Sequence, residues 1–122
     1  MAKHVLLVED EANISEAIRF VLTRDGWHVD SHADGGTALP RIRERTPDLI
    51  ILDLMLPGKS GLDILRELRA EAQFENLPVL MLTARGQDQD RDLATQAGAN
   101  MFMTKPFSNA DVLDAVRSLA EA

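Results

Sequence analysis

Four apolar runs in this chain are each followed directly by residues able to do chemistry. Glu9-Asp10 follow Val5 to Val8, Asp53 follows Leu49 to Leu52, Thr83 follows Val79 to Leu82, and Lys105-Pro106 follow Met101 to Thr104. Acids ending adjacent strands can share one small cation, because neighbouring strands lie about 4.8 Å apart and Mg²⁺ takes oxygen at roughly 2.1 Å. Asp10 and Asp53 fit that demand, with Glu9 acting through a water. The chain has no cysteine, and its three histidines show no metal-ligand spacing. Oxygen donors alone favour a hard ion that keeps several waters, hence Mg²⁺ over a transition metal. The acids also repel one another: two charges ~5 Å apart at an effective dielectric of ~20 interact by about 3 kcal/mol. Lys105 offsets one charge and the metal two. The resulting pocket suits a phosphoryl group, with Thr83 donating to one of its oxygens and Asp53 as the nucleophile, since carboxylates form acyl phosphates. Taken singly, an acid before a helix is a cap and a Lys-Pro is a turn. The signal is the set.

Those groups need strands to carry them. The runs Val5 to Val8, Leu49 to Leu52 and Val79 to Leu82 are nearly continuous in apolar residues, as strands buried on both faces require. Weaker strands are expected at His28 to Ala33 and Met101 to Thr104. Between them Ile14, Ala17, Ile18, Val21 and Leu22 form one helical stripe, and Val112, Leu113, Val116, Leu119 and Ala120 another. Shorter helices fit near Thr37 to Arg45, Gly61 to Glu71 and Gln87 to Ala97. Ser108 is a candidate N-cap, and Gly26 and Gly98 are candidate C-terminal glycines. Pro40 lies inside a helical pattern, where it lacks a donor and clashes beyond the first turn, so that helix should start late or kink. Five β-α repeats specify a doubly wound parallel α/β sheet, whose ligands bind beyond the carboxyl ends of the strands.

Bulk properties bound the function. A length of 122 residues with 45% hydrophobic content describes one domain, residues 1–122. No apolar run approaches the roughly 18 to 20 residues of a membrane span, and Met1-Ala2-Lys3-His4 opens no signal peptide, so a cytoplasmic location is expected. A net charge of -7 argues against direct nucleic-acid binding. Arg41, Arg43 and Arg45 read as a solvated face. His4, His28 and His32 read as surface or satisfied positions, and Met81, Met101 and Met103 as core filler.

Val8-Glu9-Asp10-Glu11, the stretch Asp48 to Gly58 around Asp53, Leu82-Thr83-Ala84-Arg85 and Thr104-Lys105-Pro106-Phe107 closely resemble the receiver domain of two-component response regulators, over the whole chain. The resemblance implies a flavodoxin-like fold of five strands in the order 2-1-3-4-5, flanked by five helices. It also implies phosphorylation of Asp53 from a phosphohistidine on a sensor histidine kinase or phosphotransfer protein. Mg²⁺ would be held by Asp10, Asp53 and the backbone carbonyl of Met55. Thr83 would move toward the phosphoryl group, Lys105 would pair with it, and the Lys105-Pro106 bond would be cis. Phe102 resembles the aromatic whose rotamer reports the state, although the family often has tyrosine there and Phe102 lacks the hydroxyl. Met55 and Arg85 would tune the phosphoryl lifetime. Arg91 and Asp111 could support a weak homodimer, but Asn100, Met101 and Ala115 break the usual charge network. With no output domain after Ala122, a stand-alone receiver acting on a downstream protein target is expected, a truncated chain being the alternative.

Two rivals stand beside the switch. Haloacid dehalogenase-type phosphatases also use an Asp after an apolar strand, but carry a second Asp two residues later as general acid. Met55 occupies that place, so no external-substrate turnover is expected. A phosphorylation-independent adaptor would keep the fold and leave the chemistry idle.

Overall fold

The computed structural model describes residues 3–84 and 88–121. Five parallel strands, β1 (His4–Val8), β2 (His28–His32), β3 (Leu49–Asp53), β4 (Val79–Thr83) and β5 (Met101–Thr104), form one sheet in the order β2-β1-β3-β4-β5. Five α-helices connect and follow them: α1 (Ala12–Arg24), α2 (Ala38–Glu44), α3 (Gly61–Arg69), α4 (Asp88–Ala97) and α5 (Asn109–Glu121). This is the doubly wound sheet expected from the repeats, with the flavodoxin-like strand order that the family resemblance implies.

The continuous apolar runs are needed because β1, β3 and β4 are covered on both faces. Val5, Leu7, Leu49, Ile51, Leu80 and Leu82 pack toward Ile18 and Leu22 of α1 and Val112, Val116 and Leu119 of α5. The alternating residues Leu6, Val8, Ile50, Leu52, Val79 and Met81 pack toward Ile42 of α2, Ile64, Leu65 and Leu68 of α3, and Ala94 of α4. Strand β3 is buried at all five residues, including Asp53. That burial carries an acid to the sheet rim on a rigid support.

The helix ends follow local chemistry. Ser108 Oγ accepts from the Asp111 backbone N–H at 3.1 Å while Asp111 Oδ2 accepts from the Ser108 N–H at 3.0 Å, a reciprocal cap on α5. Ser60 caps α3 by accepting from Asp63 N–H at 3.2 Å. Gly26 and Gly98 take φ of 93° and 111° just beyond α1 and α4, as C-terminal glycines do. Pro40 has the predicted effect. A 3₁₀ turn (Gly35–Thr37) precedes α2, which starts at Ala38 and so places Pro40 in its first turn, where no donor is required.

Some sequence readings shift. The stretch read as helix up to Glu71 ends at Arg69, followed by a 3₁₀ turn over Ala72–Phe74 that buries Phe74. The α1 stripe is only partly core: Ile18 and Leu22 are buried, whereas Ala17 is exposed and Val21 half-buried. Ile14, Ala17 and Val21 line an open groove with Pro106, Phe107 and Val112. The basic run does not form one face. Arg43 of α2 binds Glu71, in the link after α3, at 2.7 Å, and Arg41 and Arg45 turn toward Asp30. Arg85 and the expected helix start at Gln87 lie outside the described residues.

Candidate functional site

Each reactive side chain arrives on the end of a strand. One step beyond β1, the Glu9 backbone N–H still donates to His32 O at 2.9 Å, so the ladder carries Glu9 to the rim before the chain turns into α1. Glu9 is 2% exposed and Asp53 3%, whereas Asp10 is open to solvent. The nearest carboxylate oxygens of Glu9, Asp10 and Asp53 lie within 4.8 Å of one another. From β5, the Lys105 backbone N–H donates to Thr83 O at 2.7 Å, and the Lys105-Pro106 peptide is cis. The Lys105 ammonium reaches back across the rim to Glu9 Oε1 at 2.7 Å, Asp53 Oδ2 at 3.3 Å and Glu11 Oε1 at 3.8 Å. Asp53 Oδ1 accepts from the Met55 backbone N–H at 3.2 Å. Four of the residues expected from sequence therefore meet: Glu9, Asp10, Asp53 and Lys105. Thr83, fully buried at the end of β4, pairs in register with Thr104 next to Lys105.

The charges explain the geometry. Burial pushes the Glu9 carboxyl above its ordinary range; Lys105 and the Glu11 N–H pull the other way, while Asp53 adds to the rise. Burial also opposes the charge on Lys105, yet Glu9 and Asp53 outweigh it and hold the ammonium above its usual range. Three acids against one ammonium leave a net negative pocket whose oxygens are spaced for a small cation. The donor set fits Mg²⁺: hard carboxylates, one of them solvent-facing, so that the ion can keep several waters.

Three parts of the support were not read from the sequence. Gly61, the first residue of α3, packs so closely on β3 that a Cβ there would lie 2.1 Å from the Asp53 carbonyl oxygen. Its N–H donates to Leu54 O at 2.9 Å, locking α3 under the site. The loop after Asp53 is braced by the loop after β2: Gly35 N–H donates to Pro57 O at 2.9 Å, and a Cβ on Gly35 would meet Lys59 O at 2.0 Å. Glu11 completes the ring of acids around Lys105. A glycine before an amphipathic stretch was the available signal for Gly61, but its partner is 8 positions back along the chain and only the fold names it.

Phe102 is half-buried and packs against the α2–α4 core, with the Arg91 guanidinium 5.5 Å from its ring centroid. A cation over an aromatic face gives Arg91 a place within its own chain. The Met55 side chain is 56% exposed beside the pocket. No helix among the described residues is long and apolar enough to cross a membrane.

Comparison with known proteins agrees with this arrangement. The chain is 40% identical over 119 residues to the phosphate regulon transcriptional regulatory protein PhoB of Escherichia coli (strain K12), an alignment covering 98% of this chain and 52% of that protein. It spans about half the length of the curated relatives of this kind that it matches. Among solved structures, the receiver domain of a sensor histidine kinase from Pseudomonas aeruginosa PAO1 has a magnesium ion coordinated in its active site cleft. It superposes with a TM-score of 0.91 at 30% identity, covering 100% of both chains. The chemotaxis response regulator CheY4 of Vibrio cholerae superposes with a TM-score of 0.92 at 27% identity, covering 98% of this chain and 99% of that one. The sequence profile described as the response regulator receiver domain matches residues 5–117, from β1 through all four inner crossovers into α5, and the chain belongs to that family.

Proposed function

We propose that this domain is a signalling switch that accepts a phosphoryl group on Asp53 from a phosphohistidine of a sensor histidine kinase or phosphotransfer protein. The observation that carries this reading is the buried Asp53 carboxylate, held by the Met55 N–H on one oxygen and by Lys105 on the other. A carboxylate oxygen has two lone pairs, so one such contact leaves both oxygens further acceptor capacity. One of them forms the new O–P bond as the P–N bond of the donor breaks, and that electron pair leaves with the donor imidazole. Lys105 remains beside the acceptor to balance the phosphoryl charge, and Thr83 supplies a hydroxyl from the end of β4. Asp10, Asp53 and the Met55 carbonyl would hold Mg²⁺, with Glu9 acting through a water. When bound, the ion neutralises charge on the transferring group.

Met55 offers no acid to protonate a leaving group, which supports a persistent acyl phosphate over turnover of external esters. Phe102, with Arg91 stacked on it, is the proposed reporter of the phosphorylated state to a downstream protein. Incubation with acetyl phosphate and Mg²⁺ should add the mass of one phosphoryl group. The gain should vanish in Asp53→Asn and with EDTA. An unchanged mass in the wild type would favour a phosphorylation-independent adaptor.

A further inference from the structure

At the opposite end of the sheet, parallel pairing sets His4 directly across from His28, and Asp30 lies two residues on from His28, on the same face of β2. His4 Nε2 is 2.6 Å from Asp30 Oδ2, and His28 Nε2 is 3.7 Å from Asp30 Oδ1. The two imidazole centroids are 5.4 Å apart. One donor atom from each of the three residues falls within 4.8 Å of the others. We propose that His4, His28 and Asp30 form a binding site for a borderline divalent transition ion such as Zn²⁺, clamping the edge strand β2 to β1.

Two imidazoles and a carboxylate are a donor set that suits Zn²⁺ and does not suit Mg²⁺. Tetrahedral Zn²⁺ with ligands at ~2.0–2.1 Å spaces their donor atoms by about 3.3 Å. The 2.6 and 3.7 Å contacts run to different oxygens of Asp30, and one donor atom from each residue lies within 4.8 Å of the others, so side-chain rotation has to close the set to that spacing. His4 is the anchored ligand, with its side chain 12% exposed, while His28 at 54% exposed is free to adjust and leaves the remaining coordination positions open to water. His4 Nδ1 has no hydrogen-bond partner among the described residues. A metal on Nε2 leaves the ring N–H on Nδ1, so the second contact that usually orients a ligating imidazole is not supplied by the described residues. The ring is held instead by its burial beside β2. Burial would raise the Asp30 carboxyl, but the hydrogen bond to His4 and the nearby His28 and Arg41 outweigh it and keep Asp30 below the usual range, as an anion.

Arg41 and Arg45 compete for the same carboxylate, at 3.6 and 4.0 Å. Both side chains reach solvent and can swing away, at 34% and 60% exposed. Their competition provides a signature, since removing one guanidinium should tighten metal binding while removing a ligand weakens it. The site lies at the amino ends of β1 and β2, whereas the acidic cluster lies at the carboxyl ends, so it does not rest on the phosphoryl chemistry.

The test is calorimetric titration of the tag-free chain with ZnCl₂ in excess Mg²⁺, added to compete at the acidic cluster. One saturating equivalent is expected. His28→Gln and Asp30→Asn should each weaken it by about tenfold or more, and Arg41→Gln should tighten it several-fold. Circular dichroism of each variant confirms the fold. Absence of saturable binding, binding indifferent to His28→Gln, or weaker binding in Arg41→Gln would overturn the assignment.

Discussion

Asp53 shares a buried corner with Glu9, and the two acids lean on one ammonium. Removing one partner of a buried ion pair normally strands the other charge. Here it does not: without the Asp53 charge, Lys105 keeps Glu9 at 2.7 Å and Glu11 at 3.8 Å. The change instead relieves the repulsion that helps push the Glu9 carboxyl upward. Asp53→Asn should therefore raise the melting temperature of the metal-free protein in EDTA, by on the order of 1 kcal/mol after screening by Lys105, or about 3 to 5 °C. A melt below wild type would show that the amine needs both acids more than the acids need relief. The candidate residues were legible as a set and not singly. An acid before a helix or a Lys-Pro after a strand is by itself a cap or a turn, whereas four strand ends delivering polar groups to one rim are not explained that way. Glu11 was not singled out, since its role depends on how far the Lys105 side chain reaches back.

At the level of elements, β3 and α3 are joined by a contact too tight for any side chain. A Cβ at position 61 would sit 2.1 Å from the Asp53 carbonyl oxygen and 2.9 Å from its carbonyl carbon. Backbone cannot rotate away as a side-chain tip can, so α3 must shift. Gly61→Ala should cost about 2 to 3 kcal/mol in urea unfolding and slow phosphorylation of Asp53 by acetyl phosphate. A neutral effect on both would mean that α3 docks with slack. Punctuation predicted several helix ends correctly, at Gly26, Gly98 and Ser108, because a cap is satisfied within a few residues of itself. Pro40 likewise fixed the late start of α2. Of the α1 stripe only Ile18 and Leu22 are buried, because periodicity shows which side is apolar and not how far the opposing layer extends.

For the molecule as a whole, two cores share one sheet, and alternate residues of the same strands serve both. Leu80 and Leu82 belong to the α1/α5 side, and Val79 and Met81 to the α2–α4 side. Neither layer can leave without exposing the strands that support the other. Trp27, the one tryptophan, is 9% exposed within the α1/α5 side. Its fluorescence and the far-ultraviolet circular dichroism should therefore trace one coincident urea transition, as two-state unfolding requires. Separate midpoints would show that the layers come apart independently.

The sequence by itself determined the order of elements, the doubly wound class and the four strand ends that carry Glu9-Asp10, Asp53, Thr83 and Lys105. Those properties are local: apolar runs, periodicity and the residue that follows each run. The tertiary structure decided what no neighbour along the chain can encode. It brought the acids to within 4.8 Å, turned Lys105 onto Glu9, and pressed Gly61 and Gly35 against distant backbone. Register also set His4 against His28, 24 positions apart in sequence, and made neighbours of two histidines that had looked unrelated. The reason is physical: strand pairing and layer packing act through space, and their partners are fixed only when the whole sheet closes.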